Sequence, residues 1–209
     1  IDLMRFGTVS GEALGEVFNI QDDGAGRLWG TARRTDAKPT LYELDGETLR
    51  VVEDFEDTNP ATLGRGPGGE IWIGAKSTLF KHEDGQWIRR DFPADPGGIW
   101  DFHVQDDGTI WTVSPAGLQQ RKGDSVTDHE NTLLSTWGLV TQSPDGTIWM
   151  GTWGAGLARS SINSIQSWDS PYEQVWTAME RSDGELWIAT QQGTFRFEDG
   201  DLTEAFRGT

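Results

Sequence analysis

At 209 residues, with 34 acidic against 17 basic side chains and a formal charge of −17, the chain is long enough to bury a sizeable core. Its field repels phosphate backbones and anionic lipid surfaces, so neither nucleic acid nor direct membrane contact is an expected partner. The absence of cysteine removes disulfides and thiolate metal sites, and no apolar run reaches the roughly 18 to 20 residues that span a bilayer.

The chain starts at Ile1 with no basic-then-apolar leader, which reads as a processed product or a segment of something longer. Residues 6–9 form a short β-like run, a candidate extra outer strand for the last repeat. From about residue 17 one phrase recurs five times: glycine, any residue, isoleucine or leucine, tryptophan. It reads Gly26-Arg27-Leu28-Trp29, Gly69-Glu70-Ile71-Trp72, Gly108-Thr109-Ile110-Trp111, Gly146-Thr147-Ile148-Trp149 and Gly184-Glu185-Leu186-Trp187. The tryptophans are spaced by 43, 39, 38 and 38 residues, a period that announces stacked supersecondary units.

The repeats fall at about 17–54, 61–92, 99–129, 137–169 and 175–208. The first carries an insertion at residues 35–39, and the second replaces its turn aspartate with Pro67-Gly68-Gly69. The third is the clearest: strands at 99–104, 109–113 and 117–121, a weak fourth around Val126, and turns at Asp107-Gly108 and Gly123-Asp124. The fifth repeats that plan with strands at 175–180, 185–190, 194–197 and 202–206. Asp-Gly pairs suit the left-handed geometry of tight hairpins. Four short antiparallel strands per period of about 40 residues is the unit of a β-propeller, in which roughly four to eight such blades surround a channel. The expectation is an all-β chain, one domain over 1–209, with five recognisable blades and no linker.

The third, fourth and fifth phrases carry a resemblance. Asp107-Gly108-Thr109-Ile110-Trp111, the run from Ser143 through Trp149 to Thr152 followed by Gly154-Ala155-Gly156-Leu157, and the run from Ser182 through Trp187 to Thr190 resemble the two-component regulator propeller repeat. The resemblance implies an extracytoplasmic sensor module of bacterial signalling proteins, where propellers have seven blades and occur in tandem. It also implies periplasmic or extracellular placement and a small polar molecule or glycan as ligand. Another protein or the flanking domains are further partners it allows.

Candidate ligand-binding residues come from the aromatics and from the loops. The five motif tryptophans recur at one place per blade, as packing between blades demands. A second series, Phe18, Trp100, Trp137 and Trp176, lies 11 or 12 residues earlier on the innermost strand, with Ala61 in that place in the second blade. These aromatics fit two roles, packing between inner strands or stacking on a flat ligand. Trp153 breaks the pattern, standing in the glycine-rich loop 151–156 where no other blade has a tryptophan. That loop is expected on the same face as the connections 57–60, 93–98, 131–135 and 170–173, where binding residues concentrate. Arg34, Lys76, Gln191 and Gln192 occupy comparable loops and offer hydrogen bonds to a polar ligand.

Catalytic signals are weaker. Of three histidines, His82 reads as a solvated strand end, and His103 shares a strand face with Asp101, either as a buried pair or as a base with its orienting carboxylate. The Asp-Gly turns lack the spaced oxygen ligands of a calcium loop, so no metal or other cofactor is expected. Arg33-Arg34 with Lys38, and Arg89-Arg90, read as solvated charge. The leading reading is a non-catalytic recognition propeller. The alternatives are a propeller lyase resembling streptogramin lyases, with His103 as its base, and a protein-interaction scaffold.

Overall fold

The computed structural model describes residues 8–9, 12–34, 39–46, 48–54, 60–91, 98–129, 138–143, 145–152, 156–161, 164–168, 174–181, 183–198 and 201–207. The chain divides into two compact units, Ile1–Ile99 and Trp100–Thr209. All regular elements among the described residues are strands, and they form five antiparallel sheets of the propeller-blade type.

In the first unit, blade 1 contains β1 (Thr8–Val9), β2 (Glu12–Asp22), β3 (Arg27–Arg34), β4 (Pro39–Asp45) and β5 (Thr48–Asp54). Blade 2 contains β6 (Pro60–Arg65), β7 (Ile71–Ala75), β8 (Thr78–Glu83) and β9 (Gln86–Asp91). In the second unit, blade 3 is β10 (Asp101–Val104), β11 (Ile110–Ser114), β12 (Gly117–Lys122) and β13 (Ser125–His129). Blade 4 is β14 (Gly138–Gln142), β15 (Ile148–Thr152), β16 (Leu157–Ser161) and β17 (Ser164–Trp168). Blade 5 is β18 (Val175–Glu180), β19 (Leu186–Thr190), β20 (Gly193–Glu198) and β21 (Asp201–Arg207). Within each sheet the strands pair in sequence order, as hairpin succession dictates.

The N-terminal run departs from expectation. Thr8–Val9 does not extend the last blade: it folds back on β2, pairing Thr8 with Ala13 and Val9 with Glu12. The fourth place in blade 5 is filled by β21, which pairs along β20 from Glu198–Asp201 to Gly193–Arg207.

The recurring glycine has a backbone reason. Gly26, Gly69, Gly108, Gly146 and Gly184 all adopt φ between 78° and 97°, a region closed to most side chains. In blades 3, 4 and 5 the N–H of this glycine donates to the carbonyl three residues earlier, at 2.9 to 3.0 Å. The preceding aspartate has a separate task. Its carboxylate accepts the N–H of the residue after the glycine, Asp107 from Thr109 at 2.9 Å and Asp145 from Thr147 at 2.8 Å. The aspartates of these turns stay out of the left-handed region, unlike Asp84, which takes φ 51° in the two-residue hairpin before Gly85.

Alternation about the motif tryptophan gives each blade two faces. Within each unit the tryptophan face of one blade packs on the aliphatic face of the next. Trp29 and Leu41 of blade 1 meet Leu63, Ile71, Ile73 and Ala75 of blade 2. Trp111, Val113 and Leu118 of blade 3 meet Val140, Ile148, Met150 and Ala158 of blade 4. Trp149 and Leu157 of blade 4 meet Val175, Ala178, Leu186 and Ile188 of blade 5. Indole N–H groups at the edge of this packing reach polar groups of their own blade's first turn: Trp72 to Glu70 at 3.3 Å, Trp111 to Gln105 at 3.0 Å and Trp187 to Glu185 at 3.2 Å. In these three tryptophans the large ring buries apolar area while its polar edge stays satisfied.

His82 is not a solvated strand end. Its ring lies between Trp29 at 5.1 Å and Trp87 at 4.7 Å, because blade 1 presents its tryptophan to this edge of blade 2.

Candidate functional site

The inner strands carry a repeated irregularity. Register shifts fall between Val17 and Asn19 in blade 1, between Pro60 and Thr62 in blade 2, and between Val175 and Thr177 in blade 5. The residues at these shifts are Phe18, Ala61 and Trp176, which are the second-series positions of their blades. An extra residue bends the strand and re-aims its side chain, a device common beside binding sites. Phe18 is accordingly 44% exposed and Trp176 54% exposed, although both stand on innermost strands. The Trp176 indole N–H donates to Gln174 Oε1 at 3.4 Å.

Trp100 behaves differently. It is half-buried against the cluster formed by blades 3 and 4, with its backbone N–H donating to the Val113 carbonyl at 2.8 Å. Trp137 and Trp153 lie outside the described residues. The ends of the Trp153 loop are tied, since Thr152 N–H and Oγ1 both donate to the Gly156 carbonyl, at 3.0 and 3.1 Å.

Gln191 and Gln192 form the exposed turn between β19 and β20, next to the Val175–Thr190 pair that precedes Trp176. Their turn is held by Thr190, whose hydroxyl donates to the Gly193 carbonyl at 3.2 Å and accepts the Gln192 N–H at 3.2 Å. Ser114 holds the blade 3 turn in the same manner. These clamps were legible but missed: a serine or threonine stands three residues after the motif tryptophan in blades 3, 4 and 5, where blades 1 and 2 have Ala32 and Ala75. In the first unit, Lys76 is exposed at φ 49° and its carbonyl accepts the Ile99 N–H. Arg34 ends β3 opposite Leu14. Of the expected ligand-binding residues, Trp176, Gln191 and Gln192 lie at the same end of the β18–β19 pair.

Clefts that the sequence reading did not anticipate open near the Asp-Gly turns. One of about 600 Å³ separates blades 4 and 5, lined by Asp145, Thr147, Trp149, Arg159, Glu185 and Arg196 among others. Another of about 430 Å³ separates blades 1 and 2 at the corresponding positions, including Ala25, Arg27, Trp29, Glu70 and His82. Recurrence at equivalent positions marks them as products of wedge-shaped blade packing. Their charges are paired internally: Arg196 with Glu185 and Glu198, each at 3.2 Å, and Arg27 with Asp23 at 2.6 Å. Glu43, 1% exposed, is held by Arg27 and Arg50.

The titratable groups follow from these contacts. Burial pushes the Asp23 carboxyl up, but the N–H groups of Ala25 and Arg27 and the Arg27 guanidinium outweigh it and bring the group below its ordinary value. The Lys122 ammonium and the Thr109 contacts hold Asp107 well below the usual range, and the Ser143 hydroxyl and Thr147 N–H lower Asp145 from its ordinary value. His103 Nε2 lies 2.9 Å from Gln142 Oε1 of blade 4, while Asp101 accepts the Val140 N–H at 2.8 Å. These two residues thus each engage the neighbouring blade. Burial lowers the basicity of His103, and likewise of His82 and His129.

A pH dependence follows. The unfolded imidazoles take up protons near pH 6.5, whereas the folded ones resist until lower pH, so the unfolded state binds more protons in between. Stability is expected to fall as pH drops through 6.5 and toward the depressed folded values. Melting temperature followed from about pH 8 to about pH 5 checks this, and His103→Gln should flatten the acid limb. An unchanged slope in that variant counts against burial of His103 as the cause.

No group of three or more histidine, aspartate or glutamate side chains placed to hold a metal occurs among the described residues. No helix among them is long and apolar enough to cross a membrane.

No protein-family model and no curated protein sequence matches the chain. Its fold is similar to that of streptogramin B lyase, at 16% identity and TM-score 0.80, covering 94% of this chain and 70% of the lyase. It is similar to virginiamycin B lyase from Staphylococcus aureus, a catalytically inactive form with quinupristin, at 15% identity and TM-score 0.78, covering 95% of this chain and 72% of that one. It is also similar to the extracellular domain of a B. thetaiotaomicron protein assigned to a hybrid two component system, at 18% identity and TM-score 0.74. That last match covers 96% of this chain and 29% of the other. At these identities the common property is the β-propeller fold.

Proposed function

We propose that this chain is a non-catalytic recognition propeller of the two-component regulator type, working outside the cytoplasm and binding a small polar molecule or glycan. The observation that carries this reading is the bulge that turns Trp176 outward beside the clamped turn of Gln191 and Gln192. An exposed indole on a strand that pairs into a glutamine turn suits a ligand that is flat on one side and hydroxylated at its rim. The motif resemblance and the fold of the B. thetaiotaomicron extracellular domain support the sensor context.

The test is a screen of defined oligosaccharides and polar metabolites by thermal shift, followed by calorimetric titration. Trp176→Ala is expected to leave the unfolding midpoint nearly unchanged, because the side chain is 54% exposed. Affinity should drop about 5- to 150-fold, corresponding to roughly 1 to 3 kcal/mol of stacking. Equal affinity in the variant would remove Trp176 from the site, and a screen without a ligand would favour the protein scaffold.

The lyase reading shares only its fold with two of these relatives and would rest on His103, whose Nε2 lies 2.9 Å from Gln142 Oε1 of the neighbouring blade. Turnover of a streptogramin B substrate with an added divalent cation, abolished by His103→Ala, would replace the recognition reading.

A further inference from the structure

Every large hydrophobic side chain that is exposed among the described residues belongs to blade 1 or blade 5: Val17, Phe18, Ile20 and Leu28 in one, Trp176, Met179 and Phe206 in the other. Comparison of equivalent positions shows what this means. The residue before the motif tryptophan is 2% exposed in blade 2 (Ile71), 7% in blade 3 (Ile110), 3% in blade 4 (Ile148) and 2% in blade 5 (Leu186). In blade 1 it is Leu28, and it is 40% exposed. The tryptophan itself shows the reverse asymmetry. Trp29, Trp72, Trp111 and Trp149 are 2 to 6% exposed, whereas Trp187 of blade 5 is only half-buried.

Blade 1 therefore has an uncovered aliphatic face and blade 5 an uncovered tryptophan face. On the first, Ile20 pairs with Gly30, whose neighbours at two-residue spacing are Leu28 and Ala32. Tyr42, Leu44 and Leu49 complete an apolar groove of about 210 Å³. On the second, Met179 pairs with Trp187, and the Phe206 ring stacks on the Trp187 ring at 6.1 Å. These are the two halves of one interface, which the chain builds three times internally with the same polarity, tryptophan face onto aliphatic face.

We propose that the blade 1 groove is a docking site for a second copy of this chain, which inserts the Trp187 and Phe206 face of its blade 5. The contact is heterologous, so each added copy leaves one free face of each kind and assembly continues head to tail. The charge of −17 opposes approach of like copies, so association should strengthen with salt as that repulsion is screened.

The test uses sedimentation of the full chain from micromolar to submillimolar concentration at moderate salt. Wild type is expected to shift to dimers and larger species. Ile20→Glu and Phe206→Glu each spoil one face, and because both positions are exposed (68% and 67%) a carboxylate there stays solvated in the monomer. Near-UV circular dichroism checks that both variants keep wild-type packing. Each variant alone should associate about a hundredfold more weakly, the scale of burying one unpaired charge. Mixed in equal amounts, they retain one intact groove and one intact aromatic face, and should form a heterodimer that grows no further. A wild type that stays monomeric throughout overturns the proposal. Variants that associate as wild type does, or a mixture without heterodimer, overturn it equally.

Discussion

Trp149→Ala is expected to lower unfolding free energy by about 3 to 5 kcal/mol, the cost of removing a large buried aromatic and leaving a cavity. Trp149 is 6% exposed, shares a cluster with Leu157, Val175, Leu186 and Ile188, and meets Phe197 edge to face at 5.6 Å. The lost area belongs to the contact between two blades, so neighbouring backbones limit how far the site can collapse. Trp187→Ala provides the internal comparison. Its ring is partly open, and its loss should be smaller, about 1 to 2 kcal/mol. Denaturant titration of both variants measures the difference, and an unchanged midpoint for Trp149→Ala would show that the repeat does not package the blades as described.

Gly151→Val should destabilise through the opposite fault, overpacking. A Cβ at Gly151 would lie 2.6 Å from Val175 Cγ1 and 3.2 Å from two atoms of Leu139. Val175 is 3% exposed in the blade 4 and blade 5 cluster, so it has nowhere to retreat. The expected loss is about 1 to 3 kcal/mol. Gly123→Ala serves as control, since nothing lies within 4 Å of its Cβ position and the cost there is conformational, from φ +59°. That cost is about 1 to 2 kcal/mol. Restoring glycine-like stability by Val175→Ala in the Gly151→Val background would show that steric conflict at the interface is the cause, whereas a purely additive double variant would exclude it.

The period of the tryptophans, the alternation around them and the turn glycines identified the blades from the chain alone. Gly108 and Trp111 show why: one answers to backbone sterics and the other to strand alternation, both local rules that hold whatever the surroundings. Strand limits shifted by only a residue or two for the same reason, as in β19 at Leu186–Thr190 against the expected 185–190.

What only tertiary structure decided concerns side chains whose surroundings come from another strand or blade. His82 has the local pattern of a solvated strand end, yet Trp29, more than 50 residues earlier, encloses it. His103 and Asp101 share a strand, yet each bonds to blade 4. Trp100 and Trp176 are equivalent in sequence, but one packs into a blade interface and the other is turned outward by a bulge whose extra residue no pattern of apolar spacing reveals. The same holds for Leu28 and Trp187, identical in motif to their buried counterparts, the first exposed and the second half-buried because their blades have one uncovered face. Periodicity fixes which residues point to a face; whether that face meets a partner depends on what is packed against it.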